Sequence, residues 1–388
     1  MKQIFKTSAM MMAMAAMTIG TSSCSKDENN NNGTQEDAAS LAVVEQFVDH
    51  TVNPTYTTLA AKAEQLASQL TALKSNPTQS ALNDACETFL AAREAWEKSE
   101  AFLYGAAGDF GIDPHIDSWP LDEDAFNTLM GSSDMIAALE GEEGDVVAGE
   151  RLGNALLGFH GIEYILFRDG HSRNVGDISA DQWTYVAAVA GDLRNRCYQL
   201  EVGWMGDAAP AAHIEKLDDI ELQYTVSSTD HSYGDNMKNA GNAGSTFATR
   251  KAALMTMVQG CIDIADEVGT SKIGAAHTGE DPTYIESPYS QKSIIDFHNN
   301  IISIQNVYMG GVEGQRDENK SLHTYVKNID AALDTRVQEA IGEALSKIDA
   351  MPAPFVNNIS AAANGAAMEA CATLSDILSE VVEKIRNE

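Results

Sequence analysis

Basic residues are scarce in this chain. Its 388 residues include 25 Lys and Arg against 57 Asp and Glu, a formal net charge of -32. Neutralising a phosphate backbone takes a cationic face, so nucleic acid and anionic lipid headgroups are excluded as partners and cations are favoured. Aromatics are few, at 7%, and prolines number nine. Alternating apolar and polar runs are almost absent, which argues against sheet. No C-x-x-C pair occurs. Cys86, Cys197, Cys261 and Cys371 each sit inside an apolar helical pattern, as buried thiols do, rather than in the loops of a disulfide framework or thiolate metal site. There is also no Gly-rich phosphate loop and no Ser, His, Asp order in a catalytic context.

What is present begins with an export signal. Lys2 and Lys6 precede a Met- and Ala-rich run over residues 9–19, followed by Gly20-Thr21-Ser22-Ser23-Cys24. This is the order of charged, apolar and cleavage regions in a secretory leader, and the run is too short to span a bilayer. A Cys directly after small residues resembles a bacterial lipobox, with Thr21 where Leu is usual, and marks Cys24 for lipidation. Residues 1–23 then read as a signal peptide and 24–38 as a polar, disordered tether. Removal of Lys2 and Lys6 with the leader leaves 23 basic against 57 acidic residues, a balance of -34. The expected location is the envelope of a Gram-negative bacterium, with the outer membrane reached through the lipid alone.

From residue 39 onward apolar residues recur at spacings of three and four, the signature of an all-α protein. Long helices are expected near 39–73, 79–104, 151–168, 179–204, 247–268, 289–310, 320–349 and 355–386, with shorter ones near 121–140 and 209–225. A Ser-, Asn-, Gly- and Asp-rich stretch at 227–245 reads as a linker or exposed loop. It separates an N-terminal bundle, 39–226, from a C-terminal one, 246–388. Short connections favour antiparallel neighbours, so the expected architecture is two up-and-down four-helix bundles.

Some polar residues fall where core residues belong. Leu82, Cys86, Phe89, Arg93, Trp96, Glu100 and Leu103 follow one another at intervals of three and four, which places Arg93 and Glu100 on a buried seam. Each then needs a partner or a wet cavity, because an unpaired buried charge costs several kcal/mol. Leu156, His160, Glu163 and Phe167 form a second stripe. An imidazole and a carboxylate one turn apart can share a divalent metal. Gly158 and Gly161, each costing about 1 kcal/mol against Ala inside a helix, imply close approach by another helix or by a ligand. The segment fits neither H-E-x-x-H nor H-x-x-E-H, and the Glu-x-x-His of di-iron bundles is reversed here and occurs once. At most two protein ligands are visible. Asp113, His115 and Asp117 could add oxygen and nitrogen ligands or form a solvated turn. Ser287, Ser290, Ser293, Asp296 and Asn299 read as capping residues plus one polar stripe.

Taken in order, Arg93-x-x-Trp96-x-x-x-Glu100, Ile116-Asp117-x-Trp119-Pro120, the run from Gly158 to Phe167, Tyr289-Ser290, and Asp296-Phe297-x-Asn299-Asn300-Ile301 through Tyr308-Met309-Gly310 resemble the imelysin-like proteins. The resemblance covers nearly all of the mature chain. It implies two helical bundles related by duplication, an exported or lipid-anchored protein, and a G-x-H-x-x-E signature on Gly158, His160 and Glu163. It also implies either metallopeptidase activity, after an insulin-cleaving membrane protease, or a part in iron acquisition. Without a zincin motif or a third ligand, binding is favoured over proteolysis. The expectation is a monomeric lipoprotein that binds iron or an iron-bearing ligand in a polar pocket, with His160 and Glu163 as metal ligands. Arg93, Glu100, Asp117 and Trp119 would line the first half of that pocket. Ser290 and Asp296 would face them from the second, a placement that rests on the resemblance. A zinc peptidase using His160 and Glu163 is the alternative.

Overall fold

The computed structural model describes residues 30–226 and 229–388, with side chains from residue 38 onward. The signal peptide, Cys24 and the start of the tether lie outside them, and the first helix, Asn30–Phe47, begins within the span read as tether. Among the described residues the fold is all-helical apart from one hairpin of two-residue strands, Phe167–Arg168 against His171–Ser172. No helix among the described residues is long and apolar enough to cross a membrane.

Helix ends follow local capping chemistry. Thr78 accepts from the Ala81 amide to start Gln79–Glu97, Ser179 and Gln182 form a capping box at Ala180–Met205, and Thr249 and Asp330 cap Arg250–Glu267 and Ala331–Asp349. These side-chain oxygens satisfy amides that lack an intrahelical acceptor. Along Asn53–Ser75 the buried residues Tyr56, Leu59, Ala60, Ala63, Leu66, Ala67, Leu70 and Leu73 trace a single stripe, which packs on Ala180–Met205 and Gln79–Glu97. In the second half, Ala362–Asn387 packs on Arg250–Glu267 and Ala331–Asp349, and Ser293–Met309 completes the group. The four cysteines of the described chain are buried and free.

Several expected boundaries shift, each at a turn. The helix expected to run to 104 stops at Glu97, and Glu100–Phe102 form a separate 3-10 turn. The helix expected from 151 starts only at Gly158, so that glycine opens the helix rather than interrupting it. The spans near 121–140 and 320–349 each divide in two, at Gly131-Ser132 and at Asp330. The stretch at 227–245 contains a short helix, Tyr233–Lys238, with Tyr233 and Met237 buried, so its polar composition conceals packing residues.

The two halves meet closely where the site lies. A Cβ on Gly260 would stand 2.2 Å from the Ala101 carbonyl oxygen, so only glycine lets Arg250–Glu267 approach the Glu100–Phe102 turn. Gln79–Glu97 packs directly on Ser293–Met309, and Asn30–Phe47 packs on Arg250–Glu267. A single π-helical turn, Val268–Lys272, follows Arg250–Glu267, with Lys272 buried; such turns change the face a helix presents.

Candidate functional site

At the junction of the halves lies a buried cluster of charges. Gln79–Glu97 supplies Arg93 and Glu97, and the turn after it supplies Glu100. Asp117 follows the short helix Ile112–Ile116. Gly158–Leu166 carries His160 and Glu163, the π turn carries Lys272, and the loop before Ser293–Met309 carries Glu286 and Ser290.

The G-x-H-x-x-E glycines have separate structural duties. Gly158 has φ +63, and a Cβ there would lie 1.8 Å from the Ile116 carbonyl oxygen. Its bare backbone therefore lets the helix start pack against the residue before Asp117. Gly161 makes room for the Tyr185 hydroxyl, which would stand 2.6 Å from an added Cβ and donates to the Leu156 carbonyl at 2.7 Å. The close approach implied by the two glycines is thus made by backbone and a tyrosine.

Arg93 is the hub. Its guanidinium pairs with Asp117, with Glu97 at 2.5 Å and with Glu286 at 2.5 Å. Trp96 Nε1 donates to Asp117 Oδ2 at 2.8 Å, and His160 Nε2 lies 3.1 Å from Asp117 Oδ1. Burial alone would raise the Asp117 carboxyl, yet Arg93 and then His160 hold it far below the usual carboxylate range. Burial would likewise lower the His160 imidazole, but Asp117 and Glu163 outweigh it and push it up to about 9. Glu163 Oε1 accepts from the Ser290 amide at 2.8 Å, which ties the motif to the second half of the chain.

Lys272 Nζ stands 3.1 Å from Glu286, 3.3 Å from Glu100 and 3.6 Å from Glu97. Burial and Glu97 drive the Glu100 carboxyl well above its ordinary range, with Lys272 offsetting part of the rise. Asp296 is buried, accepts from the Ser287 hydroxyl, and is raised by burial and by Glu97. Asp113 is pushed up to about 7 by burial and by Asp117.

Six buried carboxyl groups, those of Glu97, Glu100, Asp117, Glu163, Glu286 and Asp296, thus share two permanent cations, Arg93 and Lys272. Such a surplus calls for protons or a further cation, since buried charge is tolerated only when compensated. Several polar atoms in the same place have no hydrogen-bond partner: His160 Nδ1, Glu163 Oε2, Ser290 Oγ, Trp119 Nε1 and Glu286 Oε2. His160 Nδ1 and Glu163 Oε2 are 3.6 Å apart, a separation that one metal ion with bonds of about 2.1 Å to each can bridge. Asp117, His160 and Glu286 also bring ligand atoms within 4.8 Å of one another, as do Glu97, Glu100 and Asp117. Backbone strain is concentrated here as well. Ser287 and Gln291, at φ +48 and +58, bracket the segment that bears Ser290, and left-handed non-glycine residues cluster at functional sites.

Most of the residues singled out in the sequence come together. Arg93 and Glu100 have the partners that burial demanded, and Asp117 is a buried acceptor rather than a solvated turn residue. Trp119 lies against His160, its ring tilted and 4.9 Å away, centroid to centroid. His115 instead pairs with Asp192 at 2.7 Å. Glu97, Lys272 and Glu286 went unnoticed in the sequence. Glu97 lies between two flagged residues, one turn beyond Arg93, while Lys272 follows Gly269-Thr270-Ser271 and Glu286 precedes Ser287-Pro288, polar stretches in which one more charge does not stand out. A cleft of about 760 Å³, lined by residues that include Lys62, Lys98, His298 and Arg316, opens elsewhere on the surface and includes none of the buried cluster.

The family profile of imelysin, peptidase M75, matches residues 52–381. An iron-regulated protein A from Synechococcus elongatus is 25% identical over 344 residues, covering 88% of this chain and 84% of that one. The crystal structure of an iron-regulated protein A precursor from Parabacteroides distasonis superimposes with a TM-score of 0.77 at 28% identity, over 90% of this chain and 95% of that one. An imelysin-like protein from Psychrobacter arcticum shares the fold, with a TM-score of 0.60 at 15% identity over 90% and 93% of the two chains.

Proposed function

Because the chain belongs to the imelysin family, we propose that its buried centre binds one metal ion, iron in its biological role, and that the protein serves iron uptake at the cell envelope. The observation that carries this reading is the pair of buried ligand atoms His160 Nδ1 and Glu163 Oε2, which face each other at 3.6 Å without a hydrogen bond inside a cluster of six carboxyl groups. Iron is chosen over other metals on the names of two relatives, iron-regulated protein A from Synechococcus elongatus and its Parabacteroides distasonis counterpart.

The donor chemistry fits a metal. His160 Nε2 faces Asp117, and a carboxylate on one imidazole nitrogen orients the ring and strengthens the other nitrogen as a ligand. In this arrangement His160 and Glu163 are the ligands, Asp117 orients the imidazole, and Arg93 holds Asp117 in place. The Ser290 hydroxyl is available as a further oxygen, while its amide fixes the opposite oxygen of Glu163. Imidazole with carboxylate oxygen suits iron and zinc alike. Burial favours capture over proteolysis: His160 and Glu163 are 2% and 1% exposed, and a polypeptide could reach them only if the halves parted.

The site of action follows from the N-terminus. A lipid on Cys24 would hold the protein to the outer membrane, and Cys24→Ser should move it from the membrane fraction to the soluble one. The metal reading is tested by anaerobic equilibrium dialysis of the mature protein with iron(II). One iron per chain is expected, with affinity at least tenfold lower in His160→Ala and Glu163→Gln. Wild-type protein without bound iron would reject the reading.

A further inference from the structure

We propose that the Lys272 ammonium is a built-in second cation of this centre: it fills a carboxylate cage that would otherwise take a metal, and so limits the protein to one ion. The inference rests on the metal reading above but uses a different part of the cluster.

Glu97, Glu100 and Asp117 bring ligand oxygens within 4.8 Å of one another, the spacing expected around a single cation. Lys272 Nζ stands against two of these three, at 3.3 Å from Glu100 and 3.6 Å from Glu97, and at 3.1 Å from Glu286, while Asp117 is held by Arg93. Its side chain is 6% exposed, so water does not screen the contacts. Two buried acceptors beside the cage, Glu286 Oε2 and Asn300 Oδ1, lack any partner, and Asn300 Nδ2 donates to Glu97 at 2.5 Å. Even with Arg93 on Glu97, Asp117 and Glu286, the ammonium's three protons leave these two acceptors unpaired.

Lysine reaches this position because of backbone geometry. The π turn at Val268–Lys272 follows directly on Arg250–Glu267, and Lys272 is buried where the apolar pattern of that helix would continue. An ammonium and a metal ion compete for one set of oxygens. The lysine is covalently tethered, so its effective concentration is high and it wins at ordinary metal concentrations. The two cation positions draw on different carboxylates, Glu163 in one and Glu97, Glu100 and Glu286 in the other, so filling one with the lysine leaves the ligands of the other in place.

The test compares iron(II) stoichiometry, by anaerobic dialysis and elemental analysis, in wild type, Lys272→Arg and Lys272→Met. The methionine keeps the length and apolar stem of the side chain and removes the charge, whereas arginine keeps the charge. Lys272→Met is expected to bind one more iron per chain than wild type, and Lys272→Arg the same number as wild type. If Lys272→Met is unfolded as purified, it should refold on addition of excess iron(II) but not of sodium at equal ionic strength, as read by circular dichroism. No extra iron in folded Lys272→Met, or no refolding with iron, overturns the proposal. Wild type with none and Lys272→Met with one would uphold the cage while rejecting the His160 and Glu163 site.

Discussion

His160 Nε2 stands 3.1 Å from Asp117 Oδ1, while His160 Nδ1 has no hydrogen-bond partner. One nitrogen is thus committed to orientation and the other is left for a ligand. Asp117→Asn removes the charge that holds the ring, and loss of such an orienting group typically costs 10–100-fold in metal affinity. Calorimetric titration with iron(II) should show a weakening of that order. It should also show a smaller loss than in His160→Ala, because the ligands themselves remain.

The pH response of the metal-free protein has a definite sign. His160 is held at about 9, above the value near 6.5 of a free imidazole, so the native state keeps a proton that the unfolded chain releases. Its contribution to stability is whole below pH ~6.5 and is lost as the pH rises through 9, roughly 3 kcal/mol across the window. Asp113, raised to about 7, acts in the same direction at lower pH, between ~4 and 7. Metal competes with the ring proton, so iron affinity should rise over the same range in which metal-free stability falls. Denaturant melts at pH 6, 7.5 and 9 check this: the stability gap between wild type and His160→Gln should narrow by about 3 kcal/mol.

The motif glycines give a prediction that requires no ligand. Gly161→Ala drives a methyl into the Tyr185 hydroxyl, 2.6 Å away, and toward the Leu156 carbonyl oxygen at 2.9 Å. Overpacking of this kind costs about 1–3 kcal/mol. Tyr185→Phe removes the hydroxyl, so the double variant should recover part of the loss, a coupling that a double-mutant cycle in urea will register. At Gly158→Ala the new methyl meets the Ile116 carbonyl oxygen at 1.8 Å, and residue 158 itself sits at φ +63. No side-chain change relieves either, and the loss there should be the larger of the two.

Much of this was legible in the sequence, and the exceptions share a cause. The helices at 180–205, 250–267 and 362–387 follow from apolar spacing, the first two with the caps Ser179 and Thr249 as well. Arg93 and Glu100 stood out because charges on an apolar stripe demand partners. Their partners, Lys272 and Glu286, come from the other half of the chain, 172 and 193 residues away in sequence, and periodicity carries no information about such pairing. Asp117 was ambiguous because a turn residue between Ile116 and Trp119 looks the same whether it meets water or a buried arginine. The boundary errors at Glu97 and Gly158 fall where a helix gives way to a 3-10 turn or begins after one, which the apolar spacing bridges without a break.

The most direct test of the central claim is an anomalous difference map, recorded at the iron absorption edge from crystals of the mature protein grown anaerobically with iron(II). The account predicts one peak per chain within about 2.3 Å of both His160 Nδ1 and Glu163 Oε2, with Asp117 still on Nε2. A peak elsewhere, or none at full iron loading, would contradict it.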